Sequence, residues 1–537
     1  MLKSNKALRG PFVRRRSIAV VVAATLGLGG CLSLQVDNPN TLNLDSVYSS
    51  AANTEAALIG GWKRLYGLMA GQGTNNGNSN CPGVVLAVWG NAITNVVGGT
   101  YLEGVSEPRV PIDNLNTLQC ATRGPWYDVY SGIASGREAY QAIVNNHLKY
   151  GVINATTPDG DGTPMRLIFA KFLIAMGQLN AALRFDKVFL TDVTTPYGFT
   201  PTANDLKTYQ EGLAHAKKLL REVISDSRAQ PAFTFPTIWI NGNALSRDEL
   251  IRVCITYINR ADVYGARTPT ERNAVDWAGV LARLDSGITK DFFVDADPAV
   301  ALTQSNWVNL SFSQTTIRIN NRLLGPADTS GAYQTWLVTP LATRAPIQII
   351  TPDRRIHGAA GPTVTGTRFL YLTTNMTGGT TQPWVASRYR SIRYLTSTND
   401  SGSFALNALA SLDEQKFIRA EALYRLGRLT EAAALINPTR VAAGLKPIDA
   451  NGIPAGRDCV PRKDNGACGD FFDAIQYEKR IELYPGSEAD IFWYDARGWG
   501  KMLPGTPWHL PISGRELIQL GIPYYTFGGI GSPSTQP

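Results

Sequence analysis

The sequence predicts a mainly α protein in which helix pairs form a scaffold and a loop-rich lobe with short strands interrupts it. Three observations predict this. Apolar residues recur at steps of three and four through long blocks between Pro125 and Ile288, and again between Leu412 and Leu483. Residues 290–405 change character and become rich in Thr, Asn, Gly and Pro. Between Leu412 and Ile436 two helical runs are separated only by a glycine turn.

The chain begins with a charged segment (Lys3, Lys6, Arg9, Arg14, Arg15, Arg16) and an apolar stretch from Ser17 to Gly30. That stretch is of signal-peptide length and shorter than the roughly 20 apolar residues of a membrane span. Arg15-Arg16-Ser17-Ile18 also resembles a twin-arginine signal, so the export route stays open. Leu28-Gly29-Gly30-Cys31 then forms a lipobox: a branched residue, two small ones and a cysteine whose thiol takes the lipid. The expectation is a mature chain that starts at Cys31 and is held to a membrane by acyl chains, each buried methylene contributing about 0.8 kcal/mol. Residue 32 is Leu, where an Asp would favour retention at the inner membrane, so the outer membrane is expected.

Charge excludes one class of function. The formal net charge is +8, but six Lys/Arg and no Asp/Glu precede Cys31, which leaves +2 for the rest. No concentrated basic patch remains for nucleic acid. No later stretch reads as a transmembrane helix. The six cysteines fit an oxidising compartment. Cys459 and Cys468 bracket a short loop and Cys81 and Cys120 a longer one, two candidate disulfides; Cys254 lies in an apolar run and reads as a small buried hydrophobe.

Residues 31–52 read as a tether, with Pro39 and neighbouring Asn and Asp arguing against helix. A helix follows from about Thr54 to Met69, with Asn53 as N-cap. Residues 71–124 read as a long Gly/Asn/Pro-rich loop with aromatics. Helical periodicity resumes at Pro125 and continues over Met165 to Phe189 (one helix or two), Asp205 to Ser225, Leu245 to Tyr264 and Thr270 to Ile288. The insert offers the strand-like runs Ile347–Ile350 and Arg368–Tyr371. Helices return at Leu412–Leu426, Thr430–Ile436 and Phe471–Leu483, and the remainder reads as turns.

The run from Ala420 to Ala432 resembles a tetratricopeptide helix-turn-helix. Ala420 and Ala432 are small where two helices cross, and Gly427 supplies a turn that allows positive φ.

Catalytic signatures are missing from the sequence: it has no H-E-x-x-H, G-x-S-x-G or G-x-x-x-x-G-K-S/T. His147, His215, His357 and His509 are not spaced as a metal pair, and Asp159-Gly160-Asp161-Gly162 lacks the distal Glu of a calcium loop. Neither a cofactor nor a resident metal is expected. Glu478 and Glu482 share a helix face, which suits a carboxylate dyad less well than an ion-pair network in which Glu478, Arg480 and Glu482 reach neighbouring helices or Arg497. Binding has better material. Sugars stack apolar faces on aromatic rings while Asn, Asp and Arg take their hydroxyls. Trp89, Asn91, Asn95 and Tyr101 in the first loop, and Trp307, Tyr333, Trp336 and Trp384 in the insert, are the candidate ligand residues; the alternative for each aromatic is core packing. Trp62, Trp126, Trp277, Trp493 and Trp499 read as core.

In the order of its parts the chain resembles the SusD/RagB family of surface lipoproteins. Four stretches carry the resemblance: the lipobox followed by Val36-Asp37-Asn38-Pro39-Asn40; Trp62-Lys63-Arg64-Leu65-Tyr66; the tetratricopeptide-like unit ending Arg440-Val441-Ala442-Ala443-Gly444-Leu445; and Tyr477-Glu478-Lys479-Arg480-Ile481-Glu482-Leu483-Tyr484-Pro485-Gly486 with Phe492 to Gly500 behind it. Leu510-Pro511-Ile512 stands where the family has a Leu-Pro-Ile-Pro exit. Asp495-Ala496-Arg497-Gly498-Trp499 carries one residue more between Arg and Trp than the family's turn, and 290–405 has no counterpart. The resemblance implies a signal peptide (1–30), a tether (31–52), a SusD-like helical part (53–289), the insert (290–405) and a C-terminal SusD-like part (406–537). It implies four tetratricopeptide-like helix pairs and a ligand site in a loop-rich lobe. It also implies a non-catalytic role: glycans, or peptides in some members, are captured at the cell surface and passed to a TonB-dependent, SusC-like outer-membrane transporter. A lipid-anchored hydrolase with an unrecognised site is the other reading.

Overall fold

Eight helices pack one against the next and carry everything else. The computed structural model describes residues 48–69, 81–95, 107, 109–113, 124–151, 161–295, 317–373, 386–393, 406–485, 488 and 490–532. In chain order the first elements are α1 (Ala51–Met69), α2 (Cys81–Trp89), β1 (Ile93–Asn95), β2 (Ile112–Asp113), α3 (Gly124–Asn145), α4 (Thr163–Arg184), β3 (Lys187–Phe189), β4 (Leu206–Thr208) and α5 (Tyr209–Arg228). They are followed by β5 (Thr234–Phe235), β6 (Leu245–Ser246), α6 (Arg247–Gly265), α7 (Pro269–Asn273), α8 (Trp277–Leu284) and β7 (Phe292–Asp295). The insert contributes β8 (Ile317–Ile319), α9 (Asn321–Leu324), α10 (Ala332–Val338), β9 (Phe369–Tyr371) and β10 (Tyr389–Ser391). Last come β11 (Leu406–Ala410), α11 (Leu412–Arg425), α12 (Leu429–Ala442), α13 (Phe471–Leu483), α14 (Asp490–Trp499), α15 (Gly514–Leu520) and β12 (Thr526–Phe527). Helix α1 packs on α3, α3 on α4, α4 on α5, α5 on α6, α6 on α8, α8 on α11 and α11 on α12. This is the one-dimensional stacking of a helical repeat protein.

Helix starts follow side-chain chemistry. Thr208 with Glu211, Ser246 with Glu249 and Asp470 with Asp473 each form a capping box before α5, α6 and α13. Helix α1 begins earlier than its sequence suggests, because Ser50 rather than Asn53 receives the first amide. Helix α4 is the axis of the core: only Pro164, Leu167 and Lys171 escape full burial. Its length and composition match a membrane span, contrary to the expectation that no later stretch would, but 89% of its most apolar window is enclosed by neighbouring helices. It stops at Arg184, where Phe185 turns extended, and β3 pairs with β4. The sequence block to Phe189 is therefore a helix followed by a strand.

At the tetratricopeptide-like unit, Ala420 and Ala432 are fully buried, and Gly427 sits at φ 74° between α11 and α12. The insert leaves and returns through one neck: β7 pairs antiparallel with β11, and Asp291 accepts from the backbone amide of Leu412. Within it β9 pairs with β10, and β8 ties it to β1 of the N-terminal part. Ile347–Ile350 forms no strand, because its backbone is engaged elsewhere: Ile349 donates to the Tyr389 hydroxyl and Ile350 to Asp328.

Two further departures from the sequence reading shape the cleft, besides the short helix α15 in the stretch expected as turns. Residues 81–89 form a helix inside the expected loop. Residues 490–499, expected as a turn, form a helix whose every residue is buried. The two pack together, and a Cβ on Gly90 would come within 2.5 Å of the Phe492 backbone.

Candidate functional site

Helix α13 has three differently used faces. One face enters a buried ionic cluster. Arg355 of the insert bonds Glu478 at 2.7 Å, Glu482 at 2.7 Å and Asp353 at 2.6 Å. Arg440 adds a second contact to Glu478 at 3.0 Å, and the Tyr477 hydroxyl donates to Asp353 at 2.6 Å. Burial pushes the Glu478 carboxyl above its ordinary range despite these arginines; burial also opposes ionisation of Asp353, but Arg355 outweighs it and holds that carboxyl low. Glu478 and Glu482 are thus counter-ions that fasten the insert, as the ion-pair expectation has it. The second face carries Lys479, paired with Asp495 of α14 at 2.7 Å. The sequence places Arg497 among these pairs, and the structure does not. Arg497 instead donates to the backbone oxygens of Leu183, Tyr264 and Trp508.

The third face, Asp473, Gln476, Tyr477 and Arg480, recurs at steps of three and four and forms one wall of an open cleft of about 720 Å³. The other walls come from Asn91 beyond α2, from Arg322, Leu323, Pro326 and Tyr333 of the insert, and from Tyr424 of α11. Trp499 and Lys501 at the end of α14, and the loop around Lys463, complete it. That loop is closed by a disulfide between Cys459 and Cys468 with an S–S distance of 2.02 Å.

Most charges of the cleft are already matched. Lys463 bonds Asp470 at 2.9 Å and Asp473 at 3.4 Å, and Lys501 reaches Asp473 at 3.6 Å. Burial opposes ionisation of Asp470, yet the Asp473 amide and the Lys463 ammonium outweigh it and keep its carboxyl below the usual range. Arg322 is bound by Glu107 at 2.8 Å, and Arg462 donates to the carbonyls of Gly466 and Arg457. Arg480 is different. Its Nη2 donates to the carbonyls of Gly90 and Asn91, both at 3.0 Å, and it has no carboxylate partner among the described residues.

The aromatic rings at the cleft largely occupy one another. Tyr424 stacks on Phe472 at 4.9 Å and on Phe471 at 5.6 Å, and Arg425 lies 4.5 Å over Phe472. Tyr333 stacks on Trp336 at 5.9 Å. The cleft therefore offers polar groups and ring edges more than open ring faces.

Of the ligand residues expected from sequence, Asn91 and Tyr333 line this cleft. Trp89 does not: it ends α2 fully buried, tilted 5.8 Å from Trp493, because the apolar run before it makes a core helix rather than a surface loop. Trp336 is buried behind the wall, between Tyr333 and the guanidinium groups of Arg322 (5.0 Å) and Arg344 (4.4 Å), and supports them. Tyr101, Trp307, Trp384 and Cys31 lie outside the described residues, as does the proposed Cys81–Cys120 bridge; Asn95 is described only as a strand residue. Trp62, Trp126, Trp277, Trp493 and Trp499 are buried, and Cys254 is buried and unpaired. Among the described residues no group of three or more His, Cys, Asp or Glu could hold a metal ion. Asp161 caps the Thr163 amide at 2.9 Å. Sequence reasoning missed Gln476 and put Arg480 in the ion-pair network, whereas Arg480 bonds two carbonyls and no described carboxylate; the spacing of both from Asp473 puts them on one helix face.

Comparison with solved structures identifies the fold as that of the SusD/RagB superfamily. A SusD superfamily protein from Parabacteroides distasonis aligns with a TM-score of 0.56 at 11% identity, over 89% of this chain and 99% of that one. A SusD/RagB family protein from Bacteroides thetaiotaomicron gives 0.52 at 14% identity, over 87% and 94%. Surface glycan-binding protein A from Bacteroides uniformis gives 0.51 at 12% identity, over 87% and 97%. No protein-family model matches the sequence, and no curated protein does.

Proposed function

We propose that this protein is a non-catalytic, lipid-anchored binder of oligosaccharides that passes them to a TonB-dependent outer-membrane transporter. The observation that carries the reading is the cleft: a large, open surface of mixed polar and apolar character walled by three parts of one fold, with the Asp470 carboxylate held as an acceptor by Lys463 and by the Asp473 amide. Such groups suit hydroxyl recognition, and polar positions on a rigid scaffold are how binding sites gain selectivity. A surface glycan-binding protein is among the solved structures that share the fold. The lipobox at Cys31 supports the anchor, and the sequence resemblance to SusD/RagB lipoproteins, which implies a transporter, supports the partner.

Two measurements test this. Calorimetry of the detergent-solubilised protein is expected to register oligosaccharide binding with no hydrolysis of the ligand on prolonged incubation. Binding of peptides alone would replace the cargo, and release of reducing ends would replace the role. The Cys31→Ala protein is expected in the soluble envelope fraction, and its retention in the membrane pellet would refute the acyl anchor.

A further inference from the structure

Two cations of the cleft, Arg462 and Arg480, have no carboxylate partner among the described residues. Five Lys or Arg residues and three Asp residues line it. Lys463, Lys501 and Arg322 are paired with carboxylates, and Arg462 is engaged by two carbonyls. Arg462 spends both terminal nitrogens on its carbonyls and keeps only a buried Nε, whereas Arg480 spends Nη2 alone, on the Gly90 and Asn91 carbonyls, while Nε and Nη1 bond to no described group. The two carbonyls and the Phe492 ring, 5.6 Å from the guanidinium carbon, hold the group where it lines the cleft. Burial lowers the Arg480 pKa to about 10, so it is still charged at neutral pH.

Tyr333 lines the same cleft, and the charges that act on its phenol are those of Asp464 first, then Arg322 and Arg480. Its ring is immobilised on one side by Trp336 and on the other by Gly325, where a Cβ would fall within 2.2 Å of the ring. Its hydroxyl bonds to no described group, and burial pushes the phenol well above its ordinary range, so the proton stays on. A fixed guanidinium and a fixed, protonated hydroxyl are donors that no described acceptor bonds, with the carboxylates of Asp495 and Asp464 acting on them from beyond bonding distance. A buried or half-buried charge without a partner is unfavourable, and such a group gains most from a charged ligand.

We propose that Arg480 and Tyr333 form an anion subsite that selects saccharides bearing a carboxylate, uronic-acid oligosaccharides above all, over their neutral counterparts. This rests on the oligosaccharide reading of the same cleft and narrows it. The carboxylate takes the unbonded donors of Arg480 and the Tyr333 hydroxyl, and the neighbouring Asp470, Asp473 and Gln476 are left for sugar hydroxyls.

The test is titration of the full-length, detergent-solubilised protein with trigalacturonic acid, with its methyl ester and with trialanine. The acid is expected to bind at least tenfold more tightly than the ester, with an affinity that falls as salt rises. Tyr333→Phe keeps the stacked ring and is expected to remove about tenfold of the preference for the acid. Arg480→Lys retains part of that preference, and Arg480→Gln loses it. Equal affinity for acid and ester overturns the anion subsite while leaving the oligosaccharide reading intact. Binding of trialanine with no response to either saccharide overturns both. Should the Arg480 variants fail to fold, the acid-to-ester ratio of the unaltered protein and the Tyr333→Phe result decide alone.

Discussion

Arg355→Met will lower the stability of the protein by about 3–5 kcal/mol, the range for breaking a buried ion pair from one side. The figure lies at the upper end because one guanidinium serves Asp353, Glu478 and Glu482, all buried. The side-chain volumes are similar, so packing loss is a minor part. Urea unfolding followed by tryptophan fluorescence measures it, urea being preferred because it does not screen charge. The pH dependence separates the electrostatic cause from any other. In the unaltered protein Arg355 holds the Asp353 carboxyl below its ordinary range, so its stabilisation is present at neutral pH and is lost as pH falls through the folded value. Glu478 has the opposite sign: its folded pKa is raised, so its contribution is fullest at low pH and declines as pH rises through that value. Without Arg355, the Asp353 carboxyl joins Glu478 in being raised, and both take up protons more readily folded than unfolded. The deficit of the variant is therefore expected to shrink between pH 7 and pH 5. A deficit that stays constant over that interval would mean that lost packing, not unpaired charge, is responsible.

The cluster also explains why a region with little regular structure of its own is held firmly at its base. Besides the β7–β11 neck and the β8–β1 pairing, Asp353, Arg355 and Arg368 bind the insert to α13. The third face of α13 forms a wall of the cleft, so the same helix that anchors the insert sets the spacing between Arg480 and Tyr333.

What could be read from sequence follows from where the signals are local. The α11–α12 hairpin was legible because small residues at 420 and 432 and the glycine at 427 answer to packing and turn geometry directly. The limits of α13 coincide with the expected Phe471–Leu483, since Asp470 and Asp473 write the N-terminus into the sequence. Helix α14 was illegible for the converse reason. Pro485, Gly486, Gly498 and Gly500 read as turns, and only burial against distant elements (Arg184, Arg272, Lys479) makes the segment helical. The same non-locality hid half of the cleft. Asn91 and Tyr333 stood out as polar or aromatic residues in Gly/Asn-rich surroundings, whereas Arg480 sits within a charged helix whose other charges are structural. Trp89 misled because its neighbours resemble a loop, although Val84-Val85-Leu86-Ala87-Val88 before it is an apolar run of core type.

The second large effect is expected at Arg497, where charge is used without any carboxylate. Its Nη2 donates to the carbonyls of Leu183 at 3.0 Å and Tyr264 at 2.8 Å, and Nη1 to Trp508 at 2.7 Å. Leu183 and Tyr264 are the penultimate residues of α4 and α6, so these are two of the carbonyls that a helix end leaves without an internal partner. A cation there also complements the negative ends of two helix dipoles. The guanidinium lies between ring contacts, 4.3 Å from Trp493 and 4.8 Å from Tyr494, and water has no access to replace it. Burial, followed by repulsion from Arg267, pushes Arg497 well below its ordinary pKa, so the site tolerates the charge only because three oxygens converge on it. Arg497→Met should leave three buried carbonyls unmet, at about 1–3 kcal/mol each before relaxation. Arg497→Lys is the more telling change. It keeps a cation but not the planar fork, and one ammonium on a flexible stem does not span carbonyls from three separate segments. Lysine is therefore expected to recover little, with a urea midpoint close to that of the methionine variant. If Arg497→Lys instead unfolds within about 1 kcal/mol of the unaltered protein, a scale on which an ordinary hydrogen bond is lost, then charge alone at the two helix ends suffices and the three-way geometry is incidental.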